Sequence, residues 1–208
     1  MTTPKWLGWV QQIQALAQNG LAYSQNPFDI ERYKALRELA ARLLAEYGQA
    51  DFDHIHSLYT KEAGYATPKL DARGVVFRDA KLLMVKELAD GNWTLPGGWV
   101  DVGEPLSLAV EREVREESGY EVKATKILAL FDRNADIHGH PPYIFHLYKI
   151  FVLCKLLGGE PTLSIETAGV EWVSEDEIPP LSEARTTREE ILRLFEHLRS
   201  PHLPTEFD

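Results

Sequence analysis

Along residues 1–65 the apolar positions recur at helical spacing. Trp6, Trp9, Val10, Ile13 and Leu16 form one stripe, and Asn19-Gly20 reads as its stop. Asn26-Pro27 then supplies an N-cap with proline in the first turn. Phe28, Ile30, Tyr33, Leu36, Leu39, Ala40 and Leu43 make a broad second stripe, which Gly48 closes. Residues 51–64 read better as a third short helix than as a strand. From Pro68 the pattern changes. ARGVVFRD, KLLMVKEL, ATKILALFD, YIFHLYKIFVLC and GVEWVS are rich in Val, Ile, Leu, Phe and Tyr and bounded by Gly, Pro or Asp, which predicts strands. Asp79-Ala80 is placed as a hairpin turn, and amphipathic helices are expected over 105–118 and 187–199. This order predicts an α+β protein, a mixed sheet with helices packed on it. Thr67-Pro68 marks the boundary between a helical domain, 1–67, and a second domain, 68–208.

Charge narrows the partners. Twenty-two Lys and Arg against 32 Asp and Glu leave a net charge of −10 over 208 residues. Such a chain has no general attraction for nucleic acid or anionic lipid, and a bound cation suits it better. The single cysteine, Cys154, excludes an internal disulfide and a cysteine-built zinc site. Its apolar surroundings place it as a buried small hydrophobe. No apolar run approaches the ~18 residues of a membrane span. The start, MTTPKWLGWVQQIQ, has neither the basic region nor the apolar core of a signal peptide. A soluble cytoplasmic protein is expected.

The chemistry concentrates in residues 95–122, LPGGWVDVGEPLSLAVEREVREESGYEV. Helical spacing gathers Glu113, Glu116 and Glu117, since positions i, i+3 and i+4 are neighbours on a helix surface. The stripe of Leu106, Val110 and Val114 overlaps or borders Glu113 and Glu117, while Arg112 and Arg115 point away from it. Carboxylates crowded beside a buried face repel one another unless a cation compensates, and all-oxygen ligands select a hard ion, Mg²⁺ or Mn²⁺. Pro96-Gly97-Gly98 lets the preceding backbone turn tightly and approach the same ion.

Gly98, Glu104 and the run Arg112-Glu113-Val114-Arg115-Glu116-Glu117-Ser118-Gly119-Tyr120 resemble the Nudix box, G-x5-E-x7-R-E-U-x-E-E-x-G-U with U apolar, at every position. The resemblance implies the Nudix fold and hydrolysis of the diphosphate in a nucleoside diphosphate linked to another moiety, using divalent metal. It implies that Glu113, Glu116 and Glu117 hold metal, with the carbonyl of Gly98 completing a site. Arg112 orients the glutamates and Glu104 supports it. The family often draws its general base from a loop before the last strand, which here points to Glu166, with Glu160 and Glu171 as alternatives and Glu113 as the candidate within the helix.

Beyond the box, the helical N-terminus and the stretches TPKLDARGVVF, HLYKIFVLC and SIETAGVEWVSEDEIPPLS resemble a bacterial subgroup with an added N-terminal helical domain. That subgroup includes CDP-choline and ADP-ribose pyrophosphatases. Candidate substrate contacts are Arg73, whose guanidinium could fork onto phosphate; Trp99, or Trp93, stacking on a base or ribose; and Asp132-Arg133 at the pocket rim. His138 and His140 read as solvated loop histidines rather than zinc ligands. RNA end-processing and a non-enzymatic metabolite sensor are the competing functions; the acidic balance opposes the first and the intact carboxylate set the second. The apolar surface of residues 1–65 exceeds what two helices can hide, so a homodimer is expected, with the helices walling the partner's pocket.

Overall fold

The first three elements of the chain are helices, for reasons visible in their ends. The computed structural model describes residues 4–208. Helix α1 (Lys5–Tyr23) runs past the expected stop at Gly20. That glycine serves close packing instead: a Cβ there would stand 2.4 Å from the Tyr33 ring. Asn19 is also used differently, its side chain accepting the Ala66 N–H at 2.6 Å. Helix α2 (Pro27–Gly48) starts as expected, with the Asn26 side chain accepting the Phe28 N–H and Pro27 in the first turn. The left-handed residue that ends it is Gln49, not Gly48. Helix α3 (Phe52–Lys61) is capped by Asp51. Leu7, Val10, Ala40, Ala41, Leu44, Ile55 and Tyr59 make a core of their own. The chain divides into two compact units after Pro68, and Pro142–His146 returns to the helical one, where Tyr143 and Ile144 carbonyls meet the Gln11 amide.

The second unit is a sheet between two helices. Its elements are β1 (Lys69–Arg78), β2 (Lys81–Glu87), β3 (Trp93–Thr94), β4 (Gly97–Trp99), α4 (Leu106–Ser118), β5 (Tyr120–Asp132), β6 (Leu147–Gly159), β7 (Thr167–Val173), α5 (Arg188–Arg199) and β8 (Glu206–Phe207). The strand path is β3-β2-β1-β6-β5-β8, with β4 added to β1 and β7 to β2. β1 runs parallel to β6 and antiparallel to β2 and β4, so the sheet is mixed and β1 is central. The β1–β2 turn is Asp79-Ala80, both at positive φ, the geometry that matches strand twist in a two-residue hairpin.

Strand alternation divides the core. Val75 and Phe151 face one side, where Ile191, Leu194 and Phe195 of α5 cover them. Ala72, Val76, Ile150, Val152 and Cys154 face the other, under Val110 and Val114 of α4. Each fully buried Val, Leu or Phe contributes about 1.5–3 kcal/mol relative to exposure. The expected helices over 105–118 and 187–199 are α4 and α5. Thr187 and Glu190 close a capping box at the start of α5. Among the described residues no helix is long and apolar enough to cross a membrane.

Candidate active site

α4 carries its glutamates to the edge where β4 joins β1. The helix ends at Gly119, in the left-handed conformation, where a Cβ would meet the Glu160 carbonyl at 2.3 Å. β4 pairs with β1 through Ala72–Gly98 and Arg73–Gly97. Gly97 has φ +139°, and a Cβ on it would lie 2.1 Å from the Ala72 carbonyl oxygen. Only glycine allows this approach. The Gly97 N–H then donates to Glu117 Oε2 at 2.9 Å, and the backbone of Gly98 lies against the Glu113 carboxylate.

Arg112 ties the acidic residues together. Its Nε and Nη2 fork onto Glu104 at 3.0 and 2.9 Å, and its Nη1 donates to Glu113 at 2.8 Å and to Glu116 at 3.1 Å. The backbone phase that points Arg112 away from the apolar stripe does not take its head into solvent, because the long side chain folds back over Glu104. Hydrogen bonds from Arg112 hold the Glu104 carboxyl below its usual range. Burial raises Glu113, partly offset by Arg112. Glu117 is buried, and burial pushes its carboxyl up to about 7 against the opposing pull of Arg73 and the Gly97 N–H. A buried carboxylate so weakly compensated accepts a cation readily.

The donor set is hard oxygen throughout, which fits Mg²⁺ or Mn²⁺. Among the described residues no three His, Cys, Asp or Glu groups converge on one metal position. Glu113 and Glu116 each give an oxygen to Arg112.

Glu166 stands in a turn held against this helix end. Ser164 Oγ accepts the N–H groups of Glu166 and Thr167, Thr167 Oγ1 donates to the Glu117 carbonyl at 3.0 Å, and the Leu88 N–H donates to the Glu166 carbonyl at 2.9 Å. The backbone is fixed and the Glu166 side chain is exposed. Glu160 lies beside Gly119 at the same helix end, and Glu171 is within β7, paired with Met84.

The expected substrate contacts separate. Trp99, opposite Asp71 on β4, is 47% exposed, while Trp93 packs against the core on the α5 side. Arg73 is buried on a central strand, forked onto Asp71 and donating to the Leu95 carbonyl. Its expected fork onto phosphate is occupied by Asp71. Arg133 is also buried, bonded to the Ala184 and Pro141 carbonyls. Asp132 ends β5 and accepts the Asn134 N–H. The histidines are not solvated. His138 stacks on Phe131 and meets Asp208 at 2.7 Å; His140 sits between Glu190 and the Glu183 carbonyl. The loop carrying them folds down against α5, which buries both rings. Cys154 is buried, its thiol pushed up to about 12 by that burial.

Four residues near the site, Asp71, Glu87, Lys149 and Arg185, escaped the sequence reading. Glu87, at the end of β2, is buried and ion-paired with Arg185. Lys149 is buried on β6 and donates to Asp71 at 2.6 Å. The alternation of Asp71 and Arg73 inside an apolar strand was the available signal for an internal ion pair; Glu87 and Arg185 had none.

Residues 68–195 match the NUDIX domain family, and residues 4–59 match the family described as a UDP-X-like, N-terminal oligomerisation domain. The chain belongs to the Nudix family. Bacillus subtilis YjhB, provisionally named an ADP-ribose pyrophosphatase, is 42% identical over 98% of this chain and 97% of its own length. A solved ADP-ribose pyrophosphatase of Streptococcus suis is 41% identical with a TM-score of 0.61, covering 68% of this chain and all of that one. A solved UDP-X diphosphatase is 30% identical with a TM-score of 0.63 across the whole of both chains. The Nudix fold and its N-terminal helical unit, expected from the sequence, are thus present, and the protein is a Nudix hydrolase.

Proposed function

We propose that this Nudix hydrolase cleaves the pyrophosphate bond of a nucleoside diphosphate linked to another moiety, of the ADP-ribose or CDP-choline type, and releases a nucleoside monophosphate and a phosphorylated second product. One observation carries the reading: the Glu113 and Glu117 carboxylates meet the Gly97-Gly98 backbone beside Arg112. Glu113, Glu116 and Glu117, with the Gly98 carbonyl, would hold divalent metal. Bound there, Mg²⁺ or Mn²⁺ supplies charge neutralisation on the diphosphate oxygens and lowers the pKa of water. Arg112, braced by Glu104, keeps the glutamates apart in a fixed array. Glu166, anchored by Ser164 and Leu88 with its carboxylate exposed, is the general base that takes a proton from the attacking water. Trp99 offers an exposed ring for the base or ribose, and Arg73 acts from behind Glu117 through its charge.

The N-terminal helices, matched to an oligomerisation domain, form the contact between two copies. Trp9, Leu16, Tyr23, Phe28 and Tyr47 are all more than half exposed, which supports a homodimer.

The names of the relatives set the test. ADP-ribose, CDP-choline and UDP-linked sugars are incubated with the protein and Mg²⁺ or Mn²⁺, and released monophosphate is measured. Metal-dependent release from at least one of them is expected. No release from any, with either metal, rejects the reading.

A further inference from the structure

The loop between Leu181 and Thr187 has little regular structure, yet it is unusually well anchored. Three consecutive carbonyls each receive a different buried basic side chain. His140 Nδ1 meets the Glu183 carbonyl at 2.6 Å, Arg133 forks onto the Ala184 carbonyl at 3.1 and 3.2 Å, and Lys149 Nζ donates to the Arg185 carbonyl. The loop also ties itself to β3. The Ser182 N–H donates to the Trp93 carbonyl at 2.9 Å, Arg185 and Thr186 N–H groups return to the Ser182 carbonyl, and the Thr94 and Thr186 hydroxyls meet at 2.8 Å. A surface loop normally satisfies its carbonyls with water. Here buried donors converge to fix one residue, Arg185.

Arg185 is also the most accessible basic side chain of this neighbourhood. The Arg73 and Lys149 side chains are 7% and 0% exposed and that of Arg112 27%, whereas the Arg185 side chain is 33% exposed. Its Nε meets Glu87 at 3.1 Å and its Nη1 meets Ser182 Oγ at 3.1 Å, with Asp90 at 3.9 Å. Among the described residues its Nη2 makes no hydrogen bond. Glu87, itself within electrostatic reach of Arg73, Glu117 and Glu166, brings it near the site. The next residue, Leu88, just past the strand end, holds the Glu166 backbone, so Arg185 stands one ion pair from the turn that carries the proposed base. A diphosphate entering among Glu87, Glu113, Glu117 and Glu166 needs a cation from the protein, and Arg112 and Arg73 already have their forks filled.

We propose that Arg185 grips the diphosphate of the substrate, exchanging its pairing with Glu87 for the phosphate oxygens while its anchored backbone stays in place. A guanidinium presents parallel N–H groups that match two phosphate oxygens. The inference rests on the proposed function, in that the ligand is the diphosphate hydrolysed at the box.

Calorimetric titration of the full chain with the non-hydrolysable α,β-methylene analogue of ADP-ribose, in Mg²⁺, tests it. Arg185→Gln is expected to weaken Kd by about tenfold or more, the loss of a charge-assisted bond, with a fall in melting temperature from the lost Glu87 pairing. Ser182→Ala, which removes a tie but keeps the guanidinium, should bind within about threefold of wild type. If Arg185→Gln does not fold, Arg185→Lys serves: it keeps the charge without the fork and should still bind more weakly. Unchanged affinity in Arg185→Gln (or in Arg185→Lys where that serves), or a wild type that does not bind the analogue, overturns the inference. The two readings fail separately. Loss of binding in the variant with no hydrolysis of any diphosphate by the wild type rejects the proposed activity alone, and hydrolysis with unchanged variant affinity rejects Arg185 alone.

Discussion

Glu116 is more exposed than its neighbours and gives only one oxygen to Arg112, so it is the box glutamate easiest to change without disturbing the fold. Glu116→Gln keeps size and hydrogen bonding and removes a charge; metal-dependent turnover should fall by about 10²-fold or more with an unchanged melting curve. Near-wild-type turnover would exclude the box as the active site. Glu166→Gln should lower kcat more than it changes KM if the residue takes the proton. The same loss in Glu113→Gln alone would move the base into the helix. Deeper in the fold, Asp71 is ion-paired with both Arg73 and Lys149. Burial alone would raise its carboxyl, but the two cations hold it at about 2 against 3.8 unfolded. A depressed acid adds stability that is complete above the unfolded value and lost as pH falls, here from about pH 4 to pH 2, on the order of 2 kcal/mol. Asp71→Asn leaves two buried cations uncompensated and should lose about 3–5 kcal/mol in urea unfolding at pH 7. The gap between variant and wild type should narrow on acidification through that window.

At the scale of elements, the site depends on β4 lying close to β1. Gly97→Ala puts a methyl into the Ala72 carbonyl and demands positive φ of alanine, so the strand must move outward. A loss of roughly 2 kcal/mol or more is expected in thermal or urea unfolding, together with reduced activity, because the N–H on Glu117 moves with the strand. Gly98→Ala is the contrast. The atoms nearest its Cβ are those of the Glu113 carboxylate, at 3.5 Å and beyond, so stability should change little. Equal losses in the two variants would show that the close approach is not what holds β4. The helices and strands themselves were readable because their signals are local: periodicity, an asparagine before a proline, a box glycine at a helix end. The extension of α1 past Gly20 was not, since it depends on the Tyr33 ring from another helix.

Over the whole molecule, the helical unit leaves large apolar side chains exposed, and the test of the proposed homodimer is its mass in solution. Light scattering at micromolar concentration should give twice 23.6 kDa, and Trp9→Asp with Phe28→Asp should shift it to the single-chain mass. A wild-type mass near 23.6 kDa would reject the dimer. What the sequence determined by itself was the α+β order, the helical N-terminus and the extent of α4, because each follows from spacing along one continuous segment. The partners of the charges were decided only by tertiary structure. Asp71 and Lys149 are joined because β1 lies parallel to β6, which brings together residues 78 apart in the chain. The same packing buries Arg73, Arg133, His138 and His140 and leaves Arg185 accessible. Whether a basic side chain meets solvent or an internal carbonyl is settled by which strands become neighbours, and periodicity along the chain carries no record of that choice.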